Sequence, residues 1–122
     1  MLKKENRLKS KSAFSATYHN NISLSTDSLV LYLGKIKNDK NCPTRVGFVV
    51  SKKVHKRAVK RNRIKRILRE NIRLFFKDNS FSFLNNYQSL IFIAKQGLLD
   101  KNYTDIEKNI LTIINKLAIK NL

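Results

Sequence analysis

Cysteine, proline, tryptophan and acidic side chains are scarce in this sequence, and each scarcity excludes something. The one cysteine, Cys42, rules out an intramolecular disulfide framework and a cysteine-based zinc site. One proline, Pro43, and three glycines, Gly34, Gly47 and Gly97, leave little room for a linker between domains. The glycines are also too far apart to form a phosphate-cradling loop. Tryptophan is absent, which removes a usual anchor at a lipid surface. No apolar run approaches the roughly 20 residues that span a bilayer. The basic start, Met1-Leu2-Lys3-Lys4, is not followed by the apolar stretch of a signal peptide, so a cytoplasmic protein is expected. Asp and Glu together number eight; they are scattered, and none pairs as in a two-metal nuclease. His19 and His55 lie in polar or basic stretches without ligand spacing. Without a nucleophile-and-base set, a metal cluster or paired carboxylates, no catalytic residue is expected on this chain.

Positive charge is what the sequence has in excess. Lys and Arg number 26 among 122 residues, for a formal net charge of +18. The length supports one domain, because halves of this size would each sit near the stability limit. The apolar share, 42%, is ordinary, so the chain can bury a core rather than remain a solvated basic tail. The charge is concentrated: residues 1–44 carry a net +5, residues 45–73 a net +11, and residues 74–122 a net +2. A polyanion is the expected partner.

The apolar spacing predicts an order of helix, three strands, helix, strand, helix. Phe14 and Tyr18, four residues apart, mark a short helix over 10–19 that Ser10 or Ser12 would cap. Ile22 and Leu24 alternate with polar residues as a short strand. Residues 29–36 and 45–51 read as two stronger strands around a polar turn at 38–43, and are placed to form a hairpin. Ile64, Ile67, Leu68, Ile72 and Phe75 build one apolar stripe on a helix over about 58–76. Residues 77–86 read as a loop, 89–94 as a strand and 104–120 as a last amphipathic helix. A sheet with helices against one face is the economical packing.

The middle helix carries the functional signal. Arg61, Lys65, Arg69 and Arg73 form an i, i+4 ladder with Arg66 beside it. Like charges at this spacing repel by a few tenths of a kcal/mol per pair. With only Glu70 close by, the ladder gains nothing unless an anion approaches. A lipid surface is disfavoured, because the opposite helix face is a core stripe. Nucleic acid is therefore favoured. RNA is preferred over DNA: there is no zinc-finger, zipper or homeodomain pattern, and the early aromatics could stack on unpaired bases. Core packing explains Phe14, Tyr18 and Tyr32 equally well.

Ser51-Lys52-Lys53 followed by Ala58-Val59-Lys60-Arg61-Asn62-Arg63-Ile64-Lys65-Arg66 resembles the bacterial ribonuclease P protein family, which carries a strand ending in Ser-Lys-Lys, a short loop and an Arg-Asn-Arg-centred helix. Arg7-Leu8 with Phe14 and Tyr18 is similar to its first helix, Val30-Leu31-Tyr32 to its aromatic-bearing strand, and Arg45-Val46-Gly47 to the strand before Ser51. The likeness spans about residues 3–120. Two departures stand out: His55-Lys56-Arg57 where the family often has Gly or Asn, and Tyr18 where Phe is common.

The resemblance implies an α+β fold, an α-β-β-β-α-β-α two-layer sandwich with a four-stranded sheet and a left-handed β-α-β crossover. It implies a subunit of a tRNA-processing ribonucleoprotein whose catalyst is RNA, with Mg²⁺ acting through that RNA. Carried over by position, Arg61, Asn62, Arg63, Lys65, Arg66 and Arg69 would face the catalytic RNA, with Lys52, Lys53, Lys56 and Lys60 adding phosphate contacts. Phe14, Tyr18 and Tyr32 would line a cleft for the 5′ leader of precursor tRNA. One protein monomer would join one RNA, with no membrane involved. The competing class is a small structural RNA-binding protein, such as a ribosomal protein.

Overall fold

The computed structural model describes residues 6–39, 41–50, 57–98 and 101–120. Helix α1 spans Lys11–His19, and strands β1, β2 and β3 span Ile22–Ser25, Leu29–Leu33 and Arg45–Val49. Helix α2 spans Ala58–Lys77, β4 Ser89–Ala94 and α3 Tyr103–Lys120. The α+β class and the α-β-β-β-α-β-α order stand.

Local signals set the ends of these elements. The Ser10 hydroxyl accepts a hydrogen bond from the Ala13 N–H at 3.1 Å and caps α1. After α1, Asn21 takes the left-handed conformation, φ 57°, which Asn tolerates better than most residues. The Asn20 amide then donates to the Leu33 carbonyl at 3.0 Å, tying the turn to the sheet. At α3 the Asn102 side chain accepts from the Asp105 N–H at 2.9 Å.

The strands run in the order β1-β2-β4-β3. β1 and β2 are antiparallel, joined through Thr26, whose N–H donates to the Leu29 carbonyl at 2.8 Å. The expected hairpin of residues 29–36 with 45–51 does not form. β4 lies between them, antiparallel to β2 and parallel to β3. The physical reason is burial: Leu90, Ile91 and Phe92 are consecutive and all buried, and a strand apolar on both faces belongs in a sheet's interior. β2 ends at Leu33, and pairing continues only through the Gly34 N–H to the Ser89 carbonyl and an isolated bridge, Ile36 with Tyr87.

Alternation along the strands separates two faces. Leu29, Leu31 and Leu33 of β2, Leu90 and Phe92 of β4, and Val46 of β3 turn to one side. There they meet Ile64, Leu68 and Ile72 of α2 and Ile106, Ile110, Ile113, Ile114 and Leu117 of α3, all buried. This sheet-and-helix sandwich is the core. The expectation of helices on one face holds for α2 and α3 but not for α1. Tyr32, Ile91 and Gly47 align across β2, β4 and β3 on the opposite face, and α1 crosses there. α1 buries only Thr17, so it cannot compete with the Ile- and Leu-rich helices for the main core. The Thr17 hydroxyl meets the Ser89 hydroxyl at 2.5 Å and fastens α1 to β4.

Residues 77–86, expected as a loop, are largely a 3-10 helix, Asn79–Asn86, kinked at Phe81. Leu84 is buried, while Phe75, Phe81 and Phe83 form an edge-to-face aromatic cluster at the margin of the core.

Candidate nucleic-acid interface

Once Ile64, Leu68 and Ile72 face the core, the geometry of α2 decides where its cations go. Lys60, Asn62, Arg63, Arg66 and Arg69 are exposed, while Arg61 and Lys65 are half-buried. Lys52, Lys53 and Lys56 lie within residues 51–56, outside the described residues.

Arg73, the last rung of the ladder, is held by a carboxylate one turn back. Its guanidinium reaches both carboxylate oxygens of Glu70, at 2.5 and 3.3 Å. This hydrogen bond, aided by the Arg73 charge, holds the Glu70 carboxyl below the ordinary Glu range and raises Arg73 above the ordinary Arg value. A paired Arg73 offers an anion less than its neighbours do. Between Arg69 and the exposed Lys77 at the end of α2, the Glu70 carboxylate therefore offsets one positive charge.

The aromatic residues assemble on the other face of the sheet. The Phe14 and Tyr18 rings are 6.5 Å apart and tilted by 35°. Tyr18 meets Tyr32 edge to face, with ring centroids 5.0 Å apart. Tyr18 remains 37% exposed, and Phe14 and Tyr32 are half-buried. None of the three belongs to the main core. Burial, and secondarily the neighbouring Tyr32, raises the Tyr18 hydroxyl above its usual pKa, so it remains a neutral donor at physiological pH. Val30, Val49 and Ile93 lie on the same face of the sheet, half-buried and paired across β2, β4 and β3.

The two surfaces meet at the edge of β3. Leu8 donates its N–H to the Val46 carbonyl at 2.9 Å, and Arg7 bridges Val46, so the segment before α1 borders β3. Arg69 from α2 and Phe14 from α1 line one cavity of about 160 Å³, together with Arg7, Lys9, Gly47 and Phe48. A Cβ at position 47 would come 2.6 Å from Phe14 Cζ, so glycine is what lets the ring approach the strand. Arg7 and Lys9 were not among the expected site residues. Their signal was the Arg7-Leu8 pair before the first helix, but nothing in its spacing placed it beside α2.

Among the described residues no three His, Cys, Asp or Glu side chains gather into a possible metal site, and no helix is long and apolar enough to cross a membrane.

Residues 2–118 match the family described as Ribonuclease P. A ribonuclease P protein component from Clostridium botulinum is 36% identical over 118 residues, covering 97% of this chain and 99% of that one. Its counterpart from Clostridium acetobutylicum is 39% identical, covering 95% and 92%. Among solved structures, the Staphylococcus aureus RNase P protein superposes with a TM-score of 0.78 at 27% identity, over 93% of this chain and 96% of that one. The Thermotoga maritima RNase P protein, at 20% identity and a TM-score of 0.70, shares the fold over 90% of this chain and 96% of that one. Sequence and architecture agree over nearly the whole length, and the chain belongs to the ribonuclease P protein family, a protein component of the ribonucleoprotein that processes tRNA.

Proposed function

We propose a division of labour between the two surfaces. The exposed cations and Asn62 of α2, with Lys52, Lys53 and Lys56 before it, dock on the ribonuclease P RNA. The recess formed by Phe14, Tyr18 and Tyr32 holds the single-stranded 5′ leader of precursor tRNA. The observation that carries this reading is the shared cavity of Arg69 and Phe14, which joins the cationic helix to the aromatic recess. A leader strand with its phosphates on Arg7 and Lys9, beside the RNA-docking Arg69, would have its bases within reach of the rings.

The chemistry in this reading belongs to the RNA, and Mg²⁺ acts through the RNA subunit. This chain's residues contribute in two ways. Cations reduce repulsion between two polyanions, the catalytic RNA and its substrate. Stacking adds about 1–3 kcal/mol per base, and mature tRNA has no leader to collect it. Since about 1.4 kcal/mol is tenfold in affinity, one or two stacked bases bias binding toward substrate over product. A monomer of this chain with one RNA, working in the cytoplasm, completes the proposal. Nothing in the fold or the comparisons favours a ribosomal-type structural protein.

Reconstitution tests it. Mixed with a ribonuclease P RNA and precursor tRNA at low Mg²⁺, the chain should stimulate release of the 5′ leader. An RNA that is active alone at high Mg²⁺ but gains nothing from the protein at low Mg²⁺ would refute the proposed role.

A further inference from the structure

Helix α1 separates two recesses. Phe14 and Tyr18 face one of them. On the other side Ala13 and Ala16 border a groove of about 270 Å³, whose polar lining includes Lys37, Arg45, Gln88 and Ser89. The groove continues past Lys37 and Gln88 into a second hollow of about 220 Å³, with Cys42 at the junction of the two.

The first groove is lined by cationic and amide groups, and the one carboxylate nearby, Asp39, lines the second hollow. Lys37 and Arg45 bring two positive charges, and Gln88 offers both a donor and an acceptor. The nearby acid, Asp39, is engaged in its own turn: one oxygen accepts from the Asn41 N–H at 2.9 Å, and the other takes the Cys42 thiol at 3.9 Å. Burial pulls the Lys37 ammonium below its usual pKa, only partly offset by Cys42 and Asp39. A cation short of solvent gains when an anion arrives. The groove is also firmly built. The Lys37 N–H donates to the Asn86 carbonyl at 2.9 Å, the Gln88 N–H to the Lys35 carbonyl at 2.8 Å and the Arg45 N–H to the Gln88 carbonyl at 3.1 Å.

We propose that this groove binds one further nucleotide of the single-stranded leader, its phosphate on Lys37 and Arg45 and its base between the α1 methyl groups and the Gln88 amide. The inference rests on the proposal that the leader lies in the aromatic recess. A helix is about 10 Å across, so a strand leaving Tyr18 crosses α1 within a few nucleotides. Longer leaders therefore gain a contact that short leaders lack. Single-stranded RNA recognition commonly combines an apolar surface for the base with hydrogen bonds to its edge, and the groove supplies both.

Cys42, the chain's one thiol and exposed, is a built-in reporter. Its alkylation rate is measured in the holoenzyme reconstituted with ribonuclease P RNA, first without substrate, then saturated with precursor tRNA carrying a short or a long leader. The long leader should slow alkylation at least threefold relative to the short one. In parallel, Lys37→Gln combined with Arg45→Gln, and separately Gln88→Ala, should erase most of the affinity advantage of the long leader. Equal alkylation with both leaders while both are bound overturns the proposal, as does protection by the catalytic RNA alone. The alkylation arm uses the unaltered chain, so misfolding of a variant does not obscure the result. Failure of either precursor to bind would overturn the underlying reading instead, and this inference with it.

Discussion

Phe14 and Arg69 line the same cavity, although α1 and α2 pack on opposite faces of the sheet. They meet around β3, where Gly47 lets the ring approach and Arg69 and Phe48 line the same cavity. Gly47→Ala should therefore act on function more than on the core. The added methyl would meet the far end of a side chain, so the Phe14 ring gives way rather than the backbone. The expected outcome is a several-fold loss of affinity for precursor tRNA, with affinity for the catalytic RNA kept within about twofold. Equal losses for both RNAs would show that the substitution disturbs the whole fold.

The cations of α2 predict how binding responds to salt. Each phosphate neutralised contributes about 0.7–0.9 to the slope of log affinity against log salt. Arg63→Ala and Arg66→Ala remove exposed side chains, so each variant should lower the slope for the catalytic RNA by about one while melting temperature holds. Two unchanged slopes would take this part of the helix out of the interface.

Glu70 shields Arg73, which makes their pair a test of how far that carboxylate offsets the positive charge of α2. Glu70→Gln should free Arg73 and raise RNA affinity a few-fold, with a steeper salt dependence. The pH effect has a definite sign. Glu70 is held below its ordinary value, so the pairing is present above that value and is lost as pH falls through the lowered one. Wild-type affinity should thus approach that of Glu70→Gln only in acid, below the usual carboxylate range. RNA binding measured from pH 7 downward on both proteins checks this. A constant gap between them across that range would deny Glu70 the shielding role.

How much of this was legible in the sequence depends on how local each signal was. The Ile64, Leu68 and Ile72 stripe places α2 to within a residue, because spacing along one helix carries its own register. The position of β4 between β2 and β3 was not legible as a pairing, since two strands close in sequence favour a hairpin and only long-range burial displaces it. Asn71 sits among apolar neighbours yet is buried. Its amide donates to the Ile67 carbonyl one turn back and reaches the Tyr103 hydroxyl on α3, a partner that a one-helix pattern does not reveal. The Arg-Asn-Arg context was enough to identify the family, because that signal is contiguous in sequence. The arrival of Arg7 and Lys9 beside Arg69 depends on the β3 edge, which joins segments some sixty residues apart.

The Thr17 hydroxyl ties α1 to β4. It meets Ser89 at 2.5 Å and also donates to the Ala13 carbonyl at 2.9 Å, and Thr17 is the buried residue of α1. Thr17→Val keeps the shape and removes the hydroxyl, leaving Ser89 without that partner. The expected cost is about 1 kcal/mol of stability. Because α1 carries Phe14 and Tyr18, the looser attachment should also weaken precursor binding while leaving the α2 surface intact. Denaturant unfolding measures the first effect. The ratio of precursor to mature tRNA affinity measures the second, and it should fall toward one. A stability loss with an unchanged ratio would mean that the rings hold their positions without help from Thr17, and that the leader recess is organised by Tyr32 and Gly47 alone.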